Sequence, residues 1–119
     1  MKIRIKGNTL RLRLTQTEVS LMLSKGYVQD IIELASSKLA YELVRTNGTD
    51  VHADFRDNVI TVRVPVDVIH NWGNTELVGF EANQEVSDGK TLSILVEKDF
   101  KCRIDRGEDE SDLYDPPTN

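Results

Sequence analysis

The stretch MKIRIKGNTLRLRLT, residues 1–15, alternates apolar and basic residues on both sides of Gly7-Asn8. A two-residue turn there pairs Ile5 with Leu10, Ile3 with Leu12 and Met1 with Leu14 on one face. The other face then holds Lys6 opposite Thr9, Arg4 opposite Arg11 and Lys2 opposite Arg13. A slip of one residue would move every side chain to the opposite face, so a register that keeps all the apolar residues together is a strict test of pairing. The chain therefore opens with a hairpin whose one side is core and whose other side is basic.

The same test works further along the chain. A turn at Asp57-Asn58 pairs Phe55 with Ile60, Ala53 with Val62 and Val51 with Val64, leaving His52, Asp54, Arg56, Thr61 and Arg63 outside. Between Val78 and Val96 a two-residue turn at Asp88-Gly89 would set Glu85 opposite Leu92. A three-residue loop, Ser87-Asp88-Gly89, instead sets Phe80 opposite Val96 and Ala82 opposite Ile94, with Gly89 in the left-handed conformation. Tyr27–Ala35 and Leu39–Thr46 read as two further strands joined through Ser36-Ser37, although Ile31–Ala35 also fits a helix.

Two helices separate the hairpins. Thr15-Gln16-Thr17-Glu18 is a capping box: the Thr15 hydroxyl accepts from the Glu18 amide while the Glu18 carboxylate reaches back to the Thr15 amide. Gly26 ends that helix. The second begins at Pro65, suited to a first turn, runs through Val68, Ile69 and Trp72, and stops at Gly73. At an offset of 50 residues, Asn8 falls on Asn58, Leu10 on Ile60, Leu12 on Val62, Arg13 on Arg63 and Leu14 on Val64. The pattern suggests an internal ββαββ duplication, although any strand entering a helix has some of this look. The expected fold is α+β and mainly antiparallel, with about eight short strands in hairpins and two short helices. The strands form a barrel-like or two-sheet arrangement, and closure into a barrel would bury the apolar faces.

The chain has 119 residues, 39% apolar and 29% charged, which suits one soluble domain. Residues 1–103 are read as that domain and 104–119 as an acidic, mobile tail. The formal charge is −5, which disfavours general affinity for nucleic acid. Charge is unevenly placed: five cations and no acid in residues 1–14, against six acids and Arg106 in residues 104–119. The single Cys102 permits no internal disulfide and fits a reducing compartment. No secretion signal or membrane-length apolar run is visible, so a cytoplasmic protein without membrane contact is expected.

Chemistry is sparse. His52, His70 and Cys102 lack any metal-binding spacing, and the cluster Glu108-Asp109-Glu110-Ser111-Asp112 lacks the alternating ligands of a calcium loop. No nucleophile motif occurs, and Cys102, flanked by Lys101 and Arg103, has no histidine nearby in sequence. No catalytic residue, metal site or cofactor is therefore assigned. The candidate site is the basic hairpin face of Lys2, Arg4, Lys6, Arg11 and Arg13. Like charges directly opposite in a sheet cost about 0.2–1 kcal/mol per pair. The face is open to water, or neutralised by acidic neighbours or the chain's own tail, or occupied by an external anion. It has no aromatics for base stacking, which argues further against nucleic acid.

Three stretches, KIRIKGN at 2–8, GKTLSILVEKDFKC at 89–102 and DESDLYDPP at 109–117, resemble a small bacterial family of uncharacterised proteins of about this length. The resemblance implies a bacterial, cytoplasmic, stand-alone protein and no known activity, catalytic residue or cofactor. A second resemblance is to triphosphate-tunnel enzymes, antiparallel barrels lined with charged strand residues. Their first strand carries alternating glutamates before a lysine. Here it reads Lys2-x-Arg4-x-Lys6, without the metal-holding acids. The reading is thus a non-enzymatic binding or accessory module with the basic face as its contact surface. The alternative is an enzyme or binding protein for a phosphorylated small molecule, with those cations on phosphate and acids such as Glu97 and Asp99 on a metal.

Overall fold

The computed structural model describes residues 1–102, 107 and 109–116. The boundary at 103/104 and the residues Asp105, Arg106, Glu108 and Pro117 lie outside the described residues. The elements are β1 (Lys2–Lys6), β2 (Thr9–Leu14), α1 (Gln16–Ser24), β3 (Tyr27–Glu33), β4 (Lys38–Thr46), β5 (His52–Arg56), β6 (Val59–Pro65), α2 (Val66–Gly73), β7 (Gly79–Ser87) and β8 (Lys90–Lys98).

Each hairpin register follows from its turn. Ile5 opposes Leu10 and Ile3 opposes Leu12 across β1–β2, and Phe55 opposes Ile60 and Ala53 opposes Val62 across β5–β6. Asp57 and Asn58 both take positive φ, 53° and 64°, as a tight hairpin turn requires. The β7–β8 hairpin pairs Phe80 with Val96 and Ala82 with Ile94. Its loop differs from the three-residue expectation: Ser87 pairs with Lys90 around a two-residue turn at Asp88-Gly89, and a register shift between Glu85 and Ser87 leaves Val86 as a bulge. Asp88 and Gly89 take φ of 47° and 74°, so the favoured short turn forms and the extra residue is absorbed in the strand.

The four hairpins assemble into two four-stranded sheets, ordered β1-β2-β8-β7 and β3-β4-β6-β5. The central joints are parallel, β2 with β8 and β4 with β6, so each sheet takes one hairpin from each half of the chain. The two ββαββ halves occupy equivalent positions. Leu12 opposes Val96 in one joint as Val62 opposes Leu43 in the other. Val28 opposes Leu43 as Phe80 opposes Val96.

Of the two arrangements the sequence leaves open, barrel-like or two-sheet, the two-sheet one forms and the strands do not close into a barrel. A small barrel has room inside only for the side chains of its own strands, whereas here Val19, Met22, Ile69 and Trp72 of the helices share one buried cluster with Leu12, Leu14, Leu43, Val62 and Val96. Those helical side chains occupy space between the sheets. On one side the sheets are joined by a side chain: Ala53 N donates to Gln84 Oε1 at 2.7 Å and Gln84 Nε2 donates to Ala53 O at 3.1 Å. On another flank the Met1 amino group donates to Asp30 Oδ2 at 2.6 Å and Tyr41 Oη donates to Met1 O at 2.9 Å.

The helices close one end. The Thr15 capping box forms, with Thr15 N donating to Glu18 Oε1 at 3.0 Å and Glu18 N to Thr15 Oγ1 at 3.3 Å. Arg45 Nη1 donates to the carbonyls of Met22 and Leu23 at 3.2 and 2.7 Å, satisfying the last turn of α1. In α2, Pro65 stands at the N-cap, one residue before the expected start. Trp72 packs edge-on against Phe80, centroids 5.5 Å apart, and its indole N–H donates to Val78 O at 3.1 Å. Among the described residues no helix is long and apolar enough to cross a membrane.

The hairpin turns lie at the other end, and there the apolar faces are not covered. Ile5 and Phe55, expected in the core, are each 62% exposed. Both have the inward register, but no helix packs over the strands at this end.

Candidate functional site

The cation face is built by the β1–β2 register, which sets Lys2 beside Arg13, Arg4 beside Arg11 and Lys6 beside Thr9. The parallel joint then brings β8 alongside, so that Arg11 neighbours Leu95 and Arg13 neighbours Glu97. Two acids from this end of the chain act on the face. Arg11 Nε lies 2.9 Å from Glu97 Oε1, and Lys2 Nζ lies 3.1 Å from Asp99 Oδ2, a carboxylate only 4% exposed. Glu97 and Asp99, candidate metal ligands in the enzyme reading, are thus ion-pair partners of two of the cations.

The remaining cations differ. Arg4 and Lys6 are exposed and form no ion pair with any described residue. A shallow cleft of about 200 Å³ lies between Arg4, Lys6, Thr9 and Arg11. A second, of about 150 Å³, lies among Lys2, Ile3, Arg4, Arg11 and Arg13.

The described part of the acidic segment sits mainly beside α1. Thr17 N donates to Asp112 Oδ1 at 3.2 Å, and Gln16 N donates to Asp112 O at 2.9 Å. These contacts satisfy amide groups that the first turn of α1 leaves free, where a negative charge is also favoured. The hydrogen bonds with Thr17 hold the Asp112 carboxyl below its ordinary range, and those with Ser111 do the same for Asp109. Leu113 is buried, Tyr114 N donates to Asp99 O at 2.8 Å, and Lys101 Nζ lies 3.0 Å from Asp115 Oδ1. Asp109 lines a cleft of about 200 Å³ that also includes Lys2 and Arg13. No described acid of the segment pairs with Arg4 or Lys6.

Among the described residues no three His, Cys, Asp or Glu side chains converge as a metal-binding group. His52 is exposed, with Nδ1 3.4 Å from Asp50 O, and His70 is exposed on α2. Cys102 is half-buried, its amide donating to Glu110 Oε2 at 2.6 Å. Lys98 is buried against Tyr114 and donates to Thr75 O at 2.7 Å; burial pushes its ammonium pKa down, against the opposing field of Glu76.

The pattern of DUF7009, a family of unknown function, matches residues 1–118. The chain belongs to DUF7009. No curated protein and no solved structure matches it significantly. The sequence likeness to an uncharacterised family therefore holds, and the DUF7009 match brings no activity with it. The barrel implied by the likeness to triphosphate-tunnel enzymes is absent: the interior of this DUF7009 chain is filled by Leu12, Leu14, Met22, Leu43 and Trp72, and the strand cations face outward.

Sequence reasoning missed Glu97 and Asp99 as partners of the cations, because only the parallel joint brings β8 to β2. It also missed Gln84 as the link between the sheets. The alternation of β7, with Gln84 following Ala82 at the spacing of inward residues, was the available signal for that role.

Proposed function

We propose that this protein is a non-enzymatic binding module whose contact surface is the outer face of β1 and β2, built from Lys2, Arg4, Lys6, Arg11 and Arg13, and that it takes an extended acidic segment of a partner protein. The observation that carries the reading is the division of the cations. Lys2 and Arg11 have internal acids, while Arg4 and Lys6 stand exposed without one among the described residues. The Arg4–Arg11 cross-strand pair remains a like-charge contact that an incoming carboxylate relieves.

The clefts on this face, about 150 and 200 Å³, fall below the ~300–1,000 Å³ of sites that enclose a small molecule. A partner laid along the strands fits such a surface better. The net charge of −5 and the absence of aromatics on the face argue against nucleic acid. β1 is also a sheet edge, so an extended segment can add backbone hydrogen bonds there.

The test is a heteronuclear NMR titration of the full chain at low ionic strength with a capped hexa-aspartate peptide, with a capped hexa-serine peptide as control. The expected result is saturable, salt-sensitive shifts of the Arg4, Lys6, Thr9 and Arg11 amides with the acidic peptide alone. Arg4→Glu removes them while leaving the fold intact. Absence of shifts on this face, or equal shifts with the serine peptide, refutes the reading.

A further inference from the structure

The outer face of the first sheet is basic on one side only. The strand registers set its outward residues in rows that cross all four strands. One row runs Arg4, Arg11, Leu95, Glu81 from β1 through β2 and β8 to β7. The row beside it runs Lys2, Arg13, Glu97, Gly79. Cations therefore stand on β1 and β2 and acids on β8 and β7, with the half-buried Leu95 between them. Glu81 is exposed and, like Arg4, forms no ion pair with any described residue. The two lie three strand spacings apart, about 14 Å at about 4.8 Å each, so they cannot meet within one chain.

The acidic side also has a place for an incoming side chain. Gly79 leaves a shallow hollow of about 330 Å³ whose rim includes Glu81, Leu95 and Glu97. A Cβ at Gly79 would come within 2.5 Å of Val96 O and 2.8 Å of Glu97 Cγ, so the position is kept bare by the close approach of β8.

This pattern is complementary to itself. A second copy laid face to face about a twofold axis parallel to the strands has its strand order reversed and its height along the strands kept. β1 then lies over β7 of the second copy, and each row meets its own row. Arg4 faces Glu81 of the second copy beside the Gly79 hollow, Arg13 faces Glu97, and Leu95 lies under the stem of Arg11. The alternative twofold, running across the strands, lays β1 on β1 and sets cation against cation, which like-charge repulsion opposes. The axis along the strands also agrees with the near-aligned packing that stacked sheets adopt. The net charge of −5 on each copy opposes approach, but it is screened beyond about 10 Å at 0.1 M salt while contacting pairs are not.

We propose that the outer face of the β1-β2-β8-β7 sheet joins a second copy of this chain in a twofold dimer, with Arg4 of each copy on Glu81 of the other. This rests on the reading of the basic face as a contact surface for an extended acidic segment, and names β7 of a second copy as that segment. Four short strands make a small interface, so the dimer is weak and salt-sensitive.

The experiment follows the full chain over a concentration series at about 0.05 M salt, by sedimentation velocity and NMR diffusion. The expected result is a monomer–dimer equilibrium that added salt weakens and that hexa-aspartate, competing for Arg4, dissociates. Arg4→Glu and Glu81→Arg each raise the dissociation constant about tenfold or more, since each turns two attractive pairs into repulsive ones. The double variant carrying both changes recovers to within about threefold of the parent chain. An equal mixture of the two single variants associates as a heterodimer, which a loss of fold in either would prevent. Arg56→Glu, on the other sheet, changes nothing. Stabilities of these variants are compared below the dissociation constant, where association does not enter them. A dimer that Arg4→Glu does not weaken, absence of recovery in the double variant, or assembly beyond two copies overturns the inference. A chain that stays monomeric while its Arg4 amide shifts with hexa-aspartate overturns this inference alone. A monomer that shows no such shift overturns the acidic-partner reading with it.

Discussion

Gln84 shows how much one side chain can decide. Its amide supplies a donor and an acceptor to the edge of β5, standing in for one rung of a ladder that the backbones of β5 and β7 do not form. Gln84→Ala should cost about 1–3 kcal/mol, two hydrogen bonds of ordinary net worth, read by urea denaturation. Gln84→Glu keeps the acceptor for Ala53 N but loses the donor for Ala53 O, and should fall between. In both variants the Ala53 amide should exchange faster while the Val62 amide does not. Uniform acceleration would mean that Gln84 supports the whole fold and is not a local clamp. The opposite kind of residue is Arg4, whose charge opposes that of Arg11 across the hairpin. Arg4→Glu should raise stability by about 0.2–1 kcal/mol, measured by the same denaturation. A loss of stability would show that the cation serves folding, and would remove the ground for assigning it to a partner.

At the scale of elements, the legible parts were those fixed by neighbours in sequence. The turns at Gly7-Asn8 and Asp57-Asn58 set their hairpins, and the Thr15 capping box set the start of α1, because each signal lies within a few residues. The two parallel joints were not legible: β2 meets β8 from more than 80 residues away, and no turn links them. That gap also hid which acids meet the face: neutralisation by acidic neighbours is one of the readings the sequence leaves open, and the partners of Arg11 and Lys2 are Glu97 and Asp99. The alternation in Ile3-x-Ile5 correctly gave the inward face but not its depth, since alternation does not say which end of a strand a helix covers. Paired substitutions measure that difference. Leu12→Ala, at a position 1% exposed, should cost about 2–5 kcal/mol. Ile5→Ala, on the same face but at the open end, should cost less than about 1 kcal/mol. Equal costs would mean that this end is closed in solution.

At the scale of the whole molecule the two ends of the chain carry opposite charge. The amino-terminal strands are basic and the carboxy-terminal segment acidic, yet the described acids Asp112 and Asp115 meet α1 and Lys101, leaving Arg4 and Lys6 exposed. The contact with α1 makes the segment's docking depend on pH with a definite sign. Asp112 and Asp109 have folded-state pKa values below their ordinary 3.8, through hydrogen bonds with Thr17 and Ser111 respectively. A carboxylate depressed on folding contributes stability that is present above its unfolded pKa and is lost as pH falls through its folded pKa. The amides of Gln16, Thr17 and Tyr114 should therefore stay in their docked positions at mildly acidic pH and move together only below about pH 3.8. In Asp112→Ala the same amides should occupy the undocked positions at neutral pH, while those of Leu12 and Val96 in the central joint stay in place. Movement of the joint with the segment would show that 109–116 is part of the cooperative core. A transition well above the ordinary carboxylate range would show that Asp112 does not hold the segment to α1.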